Sequence, residues 1–591
     1  MSARPSHALG DFSTDRRVLV LALAALPLGG VAALVAAGLI WLIAAITNLA
    51  YFGRLGAASV SPAANALGAW AVLVPIAGGL IIGAMARWGS PKIRGHGIPE
   101  ALEAILIGRS RLEAKVAVLK PVSSAVSIGT GGPFGAEGPI IMTGGAFGSL
   151  FAQFFHFSAA ERKTLLVAGA AAGMSAVFAS PIAATLLAVE LLLFEWKPRS
   201  FIPVALAAVT ASAARVPLLG AGPLFAVHPH SALPAVRLLQ AGLVGIAAGL
   251  ASGVLTALVY AFEDAFQKLP IHWMWWPAIG GLGVGIGGLF DPRVLGVGLD
   301  TIHALLRGEV ASGAAGTLIA TKSLVWSFAL GSGTSGGVLA PLLMMGAALG
   351  RVTAPLLPPA DPGLWAAIGM AAMMGGTMRA PLCAMFFAVE LTHDWNLLGP
   401  LLVGCVAAYA VTVLLLKRSI LTEKIARRGH HIVREYSVDP FDVHRVAEVM
   451  DRDVKTVPAT LTVRELAARI ARGDPELGSR QGTPITDGHG RLVGIVTRSD
   501  LMRSLEKDPT GASSVLDAGV RRLVVAYPDE VVRTAVDRML ANDIGRLPVV
   551  AREDPTRLLG YLGRAGVLRA RRRLLEEEHV RERGMAPAGA P

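Results

Sequence analysis

Gly129-Thr130-Gly131-Gly132-Pro133-Phe134-Gly135-Ala136-Glu137-Gly138-Pro139 is answered, about two hundred residues later, by Gly331-Ser332-Gly333-Thr334-Ser335-Gly336-Gly337-Val338-Leu339-Ala340-Pro341. Two glycine-rich breaks of the same outline, set in apolar sequence, describe a membrane protein made of two related halves. The likeness continues downstream: Ala168 to Leu191 is echoed by Ile368 to Leu391, and both segments end Ala-Val-Glu-Leu. A helix that halts at such a break leaves backbone N–H groups without internal partners, free to face a permeating solute. Of the two breaks only the first carries a carboxylate, and that asymmetry makes Glu137 a candidate gate.

The bulk composition agrees with a membrane setting. Of 591 residues 53% are hydrophobic and 16% charged, with 68 glycines, and the mean hydropathy is +0.56. A polytopic α-helical membrane protein follows. Apolar stretches at 18–47, 69–86, 139–155, 163–195, 201–214, 235–262, 275–290, 313–330, 341–357, 364–392 and 397–416 supply its helices. Several fall short of the roughly 20 residues a full crossing needs, and Gly or Pro interrupts them, which predicts broken or re-entrant helices. The first stretch follows Arg16 and Arg17 and lacks a cleavage site, so it reads as a membrane helix and not a removed signal. Arg and Lys crowd the loop 87–120 and the C-terminal tail, so the net charge of +12 is read as positive-inside bias and not as a nucleic-acid surface. Cys383 and Cys405, both in apolar sequence, exclude a disulfide framework and a thiolate zinc site.

Near Lys417 the character changes, and no later stretch is long and apolar enough to span a bilayer. The tail has its own repeat: Thr483-Pro484-Ile485 with Gly494-Ile495-Val496-Thr497-Arg498-Ser499-Asp500 is echoed by Leu547-Pro548-Val549 with Gly560-Tyr561-Leu562-Gly563-Arg564-Ala565-Gly566. Each unit reads helix, strand, turn, strand, helix, with Asp487-Gly488 as a turn signal. This resembles a tandem pair of cystathionine-β-synthase (CBS) domains over about 443–572, an α/β module that packs as a pseudo-dimer. The resemblance implies an adenine nucleotide held by Thr497 and Asp500. Gly563 and Gly566 stand at the matching positions of the second unit, so one such site at most is intact, and a dimerisation module without ligand is the alternative. The expected organisation is a cytosolic segment 1–17, a transport domain 18–416 with halves at about 18–214 and 235–416, a linker 417–442, CBS domains 443–508 and 509–572, and a charged, disordered tail 573–591.

Three motifs carry the chemistry: Gly95-His96-Gly97-Ile98-Pro99-Glu100, Gly135-Ala136-Glu137-Gly138-Pro139, and Gly336-Gly337-Val338-Leu339-Ala340-Pro341. In each, glycines precede a proline suited to the first turn of a helix. The positive dipole end of such a helix favours an anion, and three converging ends hold one without a fixed cation that would retain it. In this order the motifs resemble those of the CLC family of chloride channels and chloride/proton antiporters, over roughly 18–428. The resemblance implies a CLC-type inverted repeat of about eighteen helices, a homodimer with one chloride pathway per subunit, and both termini and the CBS pair in the cytosol, at the inner membrane.

Carried over residue by residue, Glu137 matches the gating glutamate. The amides of Val338 and Leu339 match the central anion ligands, those around Ala136 and Gly138 match the outer site, and His96, Gly97 and Ile98, on the inner loop, are likewise expected to bind the anion. His96 replaces a serine whose hydroxyl donates to the anion; an imidazole N–H donates similarly, or else the ring turns to the cytosolic vestibule. Ala136 replaces a basic residue. Leu421 falls where a tyrosine is frequent, so the inner gate is expected to be wider or more apolar. Antiporters of the family use a second glutamate near the end of the helix that starts at Pro181. That position is Leu191 here, with Glu190 one residue earlier as a candidate proton path or, since Glu390 mirrors it, a structural cap. The leading expectation is a voltage- or pH-gated chloride channel, with chloride/proton antiport as the alternative. No arginine-rich helix is present to sense voltage, so the field must act on Glu137, its proton or the ion. An enzyme is not expected: Gly173-Met174-Ser175-Ala176 lacks the fourth glycine and partner histidine of an intramembrane serine protease, and there is no HExxH. No metal site and no resident cofactor beyond the nucleotide is expected.

Overall fold

The computed structural model describes residues 16–108, 110–155, 157–227, 229–230, 234–359, 361–429, 441, 444–474, 477 and 482–570. Most of the N-terminal segment 1–17, much of the linker 417–442 and the tail 573–591 lie outside these residues. The chain divides at residue 430 into two compact units.

The first unit is helical. Its first half comprises α1 (Arg17–Phe52), α2 (Leu73–Trp88), α3 (Ile98–Leu106), α4 (Ala114–Gly129), α5 (Glu137–Phe154), α6 (Ala159–Phe178), α7 (Pro181–Leu187) and α8 (Pro198–Leu219). The second repeats the series as α9 (Val236–Gln267), α10 (Trp276–Phe290), α11 (Leu299–Leu306), α12 (Ser312–Gly331), α13 (Leu339–Thr353), α14 (Pro362–Met378), α15 (Pro381–Thr392) and α16 (Leu398–Leu415), and α17 (Ile420–Arg427) ends the unit. Among the described residues six helical segments are long and apolar enough to cross a membrane, and shorter apolar helices such as α14 and α15 accompany them.

The repeat reaches down to single dihedrals. Ala179 (φ 55°) and Arg379 (φ 57°) take the left-handed conformation at equivalent positions, as do Phe194 (φ 55°) and His393 (φ 57°). A non-glycine residue pays a steric penalty there, so the two halves share a constrained backbone and not merely a hydropathy profile. These residues also mark where the expected broken helices break. The stretches 163–195 and 364–392 each fold as two helices, because a left-handed residue followed by Ser180-Pro181 or Ala380-Pro381 ends one and starts the next. Likewise the basic loop expected at 87–120 contains α3 and the start of α4. Lys120 goes inside α4 because its ammonium finds two carbonyls there, Ile93 O at 2.8 Å and Gly95 O at 2.7 Å.

Contacts between the halves are reciprocal. Glu190 Oε1 and Oε2 accept the N–H groups of Leu382 (3.2 Å) and Cys383 (2.7 Å) at the start of α15. Glu390 does the same for Ile182 (2.9 Å) and Ala183 (2.8 Å) at the start of α7. When i contacts j and j′ contacts i′ in this way, a local two-fold axis relates the parts. The wide π-helical turn Ala188–Leu193 that continues α7 carries Glu190 to that seam.

The second unit holds two small sheets. In one, β1 (Val457–Pro458) runs parallel to β2 (Gly482–Thr486), which pairs antiparallel with β3 (Leu492–Thr497); in the other β4 (Arg546–Val550) pairs antiparallel with β5 (Leu558–Gly563). Pro484 opposite Ile495 and Pro548 opposite Tyr561 put the two sheets in the same register. The cores interleave along the chain: Val446 and Val449 pack with Val532, Leu547 and Leu562, whereas Val515 packs with Val463, Ile485 and Val496.

Candidate anion-binding site

The two breaks quoted at the outset meet. Gly135 N donates to Gly337 O at 3.2 Å and Gly337 N to Gly135 O at 2.8 Å, a two-bond antiparallel bridge that sets the N-termini of α5 and α13 side by side. Glu137 opens α5 and is fully buried. Its Oε1 accepts the N–H of Leu339 and, at 3.2 Å, that of Ala340. Its Oε2 has no hydrogen-bond partner. Both donors belong to the first turn of α13, where amides lack internal acceptors and the helix dipole is positive. The carboxylate therefore fills the position at which a free anion would meet α13. Glycine at 337 is obligatory for this, since a Cβ there would lie 2.5 Å from Oε1. The amides engaged are Leu339 and Ala340, one residue further along than the expected pair Val338 and Leu339.

The remaining motif packs onto the same place. Gly97 (φ +90°) lies so close to α5 that a Cβ would approach Gly138 O to 2.6 Å, and Gly336 N donates to Gly95 O at 3.5 Å. All three motifs are thus in mutual contact, with Ala136, Gly138, Ile98, Val338 and Leu339 buried around Glu137. His96 is only 3% exposed and its Nδ1 has no hydrogen-bond partner. Gly97 N is taken by Glu100 Oε2 at 2.9 Å, and Glu100 Oε1 in turn meets Lys424 at 3.3 Å and Arg428 at 3.1 Å. One carboxylate therefore ties the inner loop to α17.

Several contributors escaped the sequence reading. Lys120 pins the loop that carries His96, and Ser335 of the second break bonds Ser124 Oγ at 2.8 Å and Ser123 Oγ at 3.2 Å on α4. Lys322 on α12 mirrors Lys120, donating to Val294 O (2.8 Å) and Gly296 O (3.3 Å). Gly296 (φ +64°) and Gly298 (φ +72°) in turn mirror Gly95 (φ +82°) and Gly97 (φ +90°). The signal was available: Lys120 and Lys322 follow the first glycine of Gly95-His96-Gly97 and of Gly296-Val297-Gly298 by 25 and 26 residues.

Glu190 is placed at the seam between the halves and not beside Glu137: both of its oxygens accept amides of α15. Leu191 is fully buried. Ser175 donates to Ala208 O at 2.7 Å, a packing role. Beside α17 lies a cavity of about 710 Å³ whose lining includes Glu100, Glu263, Lys424 and Arg428, and it stops short of Glu137. Leu421 is fully buried and does not line it.

In the second unit Thr497 caps the helix Arg498–Lys507. Asp500 N donates to Thr497 Oγ1 at 3.2 Å, while Thr497 N (2.9 Å) and Oγ1 (2.6 Å) donate to Asp500 Oδ2. The pair expected to hold a nucleotide thus forms a capping box. Asp500 Oδ1 faces Arg503 at 3.4 Å.

Comparison with known proteins locates this architecture. Residues 78–413 match the model of the voltage gated chloride channel family, and 446–507 and 516–573 each match the CBS domain. A putative chloride channel protein ClcB-like of Ralstonia nicotianae is 30% identical over 382 residues, which cover 63% of this chain and 89% of the relative. The H(+)/Cl(-) exchange transporter ClcA of Salmonella paratyphi A is 30% identical over 352 residues, 57% of this chain and 74% of the relative. The crystal structure of a eukaryotic CLC transporter superposes with a TM-score of 0.61 at 19% identity, covering 93% of this chain and 98% of that one, and so shares the fold.

Proposed function

The chain belongs to the voltage-gated chloride channel family, and we propose that it conducts chloride and similar small anions passively across the inner membrane, as a homodimer with one pathway per subunit and Glu137 as the gate. The observation that carries this reading is the Glu137 carboxylate seated on the amides of Leu339 and Ala340. Ionised, it imitates the permeant anion and holds the anion's place. Protonation removes its charge and weakens both bonds, and a concentrated anion competes for the same amides, so either opens the route. Hydrogen bonds to a charged acceptor contribute about 1.5–3 kcal/mol each, enough for an at least tenfold, about 1.4 kcal/mol, difference in access. Voltage acts on the same group or on the ion, at about 2.3 kcal/mol per charge per 100 mV across the full field.

Passive conduction is favoured over proton-coupled exchange by the inner side. Leu191 occupies the position at which the resemblance puts the second glutamate of antiporters, and Glu190 is committed to the N-terminus of α15. The face carrying Arg17, Lys424, Arg427 and Arg428 is assigned to the cytosol by its basic residues, and with it both termini and the CBS pair. In the CBS pair an adenine nucleotide is proposed on Thr497 and Asp500, a ribose hydroxyl meeting Oδ1; calorimetry in which Asp500→Ala binds as the parent does removes that assignment.

The decisive measurement uses the purified chain in liposomes under crossed chloride and proton gradients. A channel gives a reversal potential set by chloride alone, whereas chloride-driven uphill proton movement at fixed stoichiometry sinks the passive reading in favour of antiport. For the gate, chloride efflux by the parent protein should rise as pH falls. Glu137→Ala should give efflux at least about tenfold higher at neutral pH and flat with pH; a variant that keeps the parent's pH profile refutes the assignment.

A further inference from the structure

Among the described residues that line the inner cavity, one cation stands outside every ion pair. Lys92 pairs with Glu113 at 2.6 Å, Lys424 and Arg428 share Glu100, Arg428 also reaches Glu103, and Arg427 bonds Asp264 and Glu423. Arg111 is engaged as well. Arg94 differs: among the described residues its guanidinium makes no ion pair, and its buried Nε has no hydrogen-bond partner. It is held by aromatic faces, its Cζ 4.7 Å from the ring centre of Trp273 and 5.5 Å from that of Trp276. Stacking on indoles orients a guanidinium without neutralising it and leaves the in-plane N–H donors unspent. Glu263, on the wall of the same cavity, acts on Arg94 only from beyond ion-pair distance.

The position of this charge matters as much as its freedom. Arg94 immediately precedes Gly95-His96-Gly97, and its Nη2 lies against the other glycine-rich break: a Cβ on Gly333 (φ +79°) would sit 2.7 Å from it. The guanidinium therefore stands where the loops of both halves meet the cavity, two residues from the unpartnered Nδ1 of His96. A fixed charge in a recess with low-dielectric walls raises the local concentration of its counter-ion, and because it is outside the closed central position it does not have to release an ion buried against it.

We propose that Arg94 is the inner docking site for permeant anions, a guanidinium clamped by Trp273 and Trp276 that loads the pathway from the cavity side and sets its apparent affinity for chloride on that face. This rests on the anion-pathway reading above, but it concerns loading and not gating. The two fail separately, because loading is read from concentration dependence and gating from pH dependence.

The test is Arg94→Cys in the full chain, reconstituted and assayed by chloride flux, with Cys383 and Cys405 retained because both are buried. Removing the charge should raise the chloride concentration for half-maximal flux from that face about three- to tenfold, with little change in maximal flux and an unchanged pH profile. A cationic methanethiosulfonate carrying trimethylammonium should restore the parent value, and the anionic sulfonate reagent should weaken loading further. Equal effects of the two reagents, or an unshifted half-saturation, overturn the proposal. If Arg94→Cys does not fold, the same curve is measured for Arg94→Lys and Arg94→Gln: Lys should stay within about twofold of the parent and Gln should not, and identical behaviour of the two overturns it as well.

Discussion

The two halves of the membrane unit share a frame and differ in chemistry. Glu137 opens α5 and Leu339 opens α13 at the equivalent place. One supplies the carboxylate and the other the amide on which it rests. By contrast Lys120 has its copy in Lys322, Glu190 in Glu390, and the left-handed Ala179 in Arg379. What holds the two-fold arrangement occurs twice, and the carboxylate proposed as the gate occurs once. The physical reason is direct: a second carboxylate at 339 would put two like charges into one dry pocket, and one of them could not ionise.

The largest expected effect tests the shared frame. Lys120→Met and Lys322→Met each leave two buried carbonyls bare, at about 1–3 kcal/mol per unsatisfied group. Both variants should lower the thermal transition of the detergent-solubilised protein to a similar extent, followed by tryptophan fluorescence. Only Lys120→Met, whose loop carries His96, should also change chloride flux in the surviving protein. Equal flux defects in the two would mean that the second-half loop takes part in conduction, and the contrast between halves would fail.

A smaller effect is expected at the seam. Glu190→Ala and Glu390→Ala each remove the cap from two helix-start amides, at about 0.5–2 kcal/mol per lost cap. The two variants should be comparably destabilised and should leave any proton movement as it was. Loss of proton movement in Glu190→Ala alone would separate the copies and make Glu190 a functional carboxylate.

The smallest effect lies in the second unit, which has no part in this asymmetry and serves as its control. Asp487, Asp508 and Asp554 accept turn hydrogen bonds that hold their carboxyls below the usual range: Arg491 N and His489 N for Asp487, Thr510 for Asp508, Thr556 for Asp554. A depressed folded-state value stabilises above the unfolded aspartate value of about 3.9 and is lost as pH falls further. Hydrogen exchange of strands β2 to β5, corrected for intrinsic rates, should therefore be constant from neutral pH to about 5 and quicken below about 4. A decline that begins near neutrality would point to another group.

Much of the frame was readable because it obeys local rules. Breaks announced themselves by Gly and Pro, spans by apolar length, and the CBS strands by paired Pro-containing motifs about turns. The Gly296-Val297-Gly298 loop was not seen as the partner of Gly95-His96-Gly97, because only two of its residues match and the likeness rests on φ angles and on the Lys322 contact. Nor could sequence distances reveal that Glu190 reaches α15, some 190 residues away, or that Arg94 stacks on Trp273.

From the residues alone came the doubling of the chain, its membrane character, the three glycine-rich motifs and the singularity of Glu137, since each depends on composition or on spacing within one segment. Which amides that carboxylate takes, that both lysines turn inward onto carbonyls, that the paired glutamates cap each other's halves, and that Arg94 lies on two indole faces were settled only by folding. These are contacts between segments a hundred or more residues apart or choices among competing partners, and the energy of a charged group depends on which partner the packed interior brings within reach.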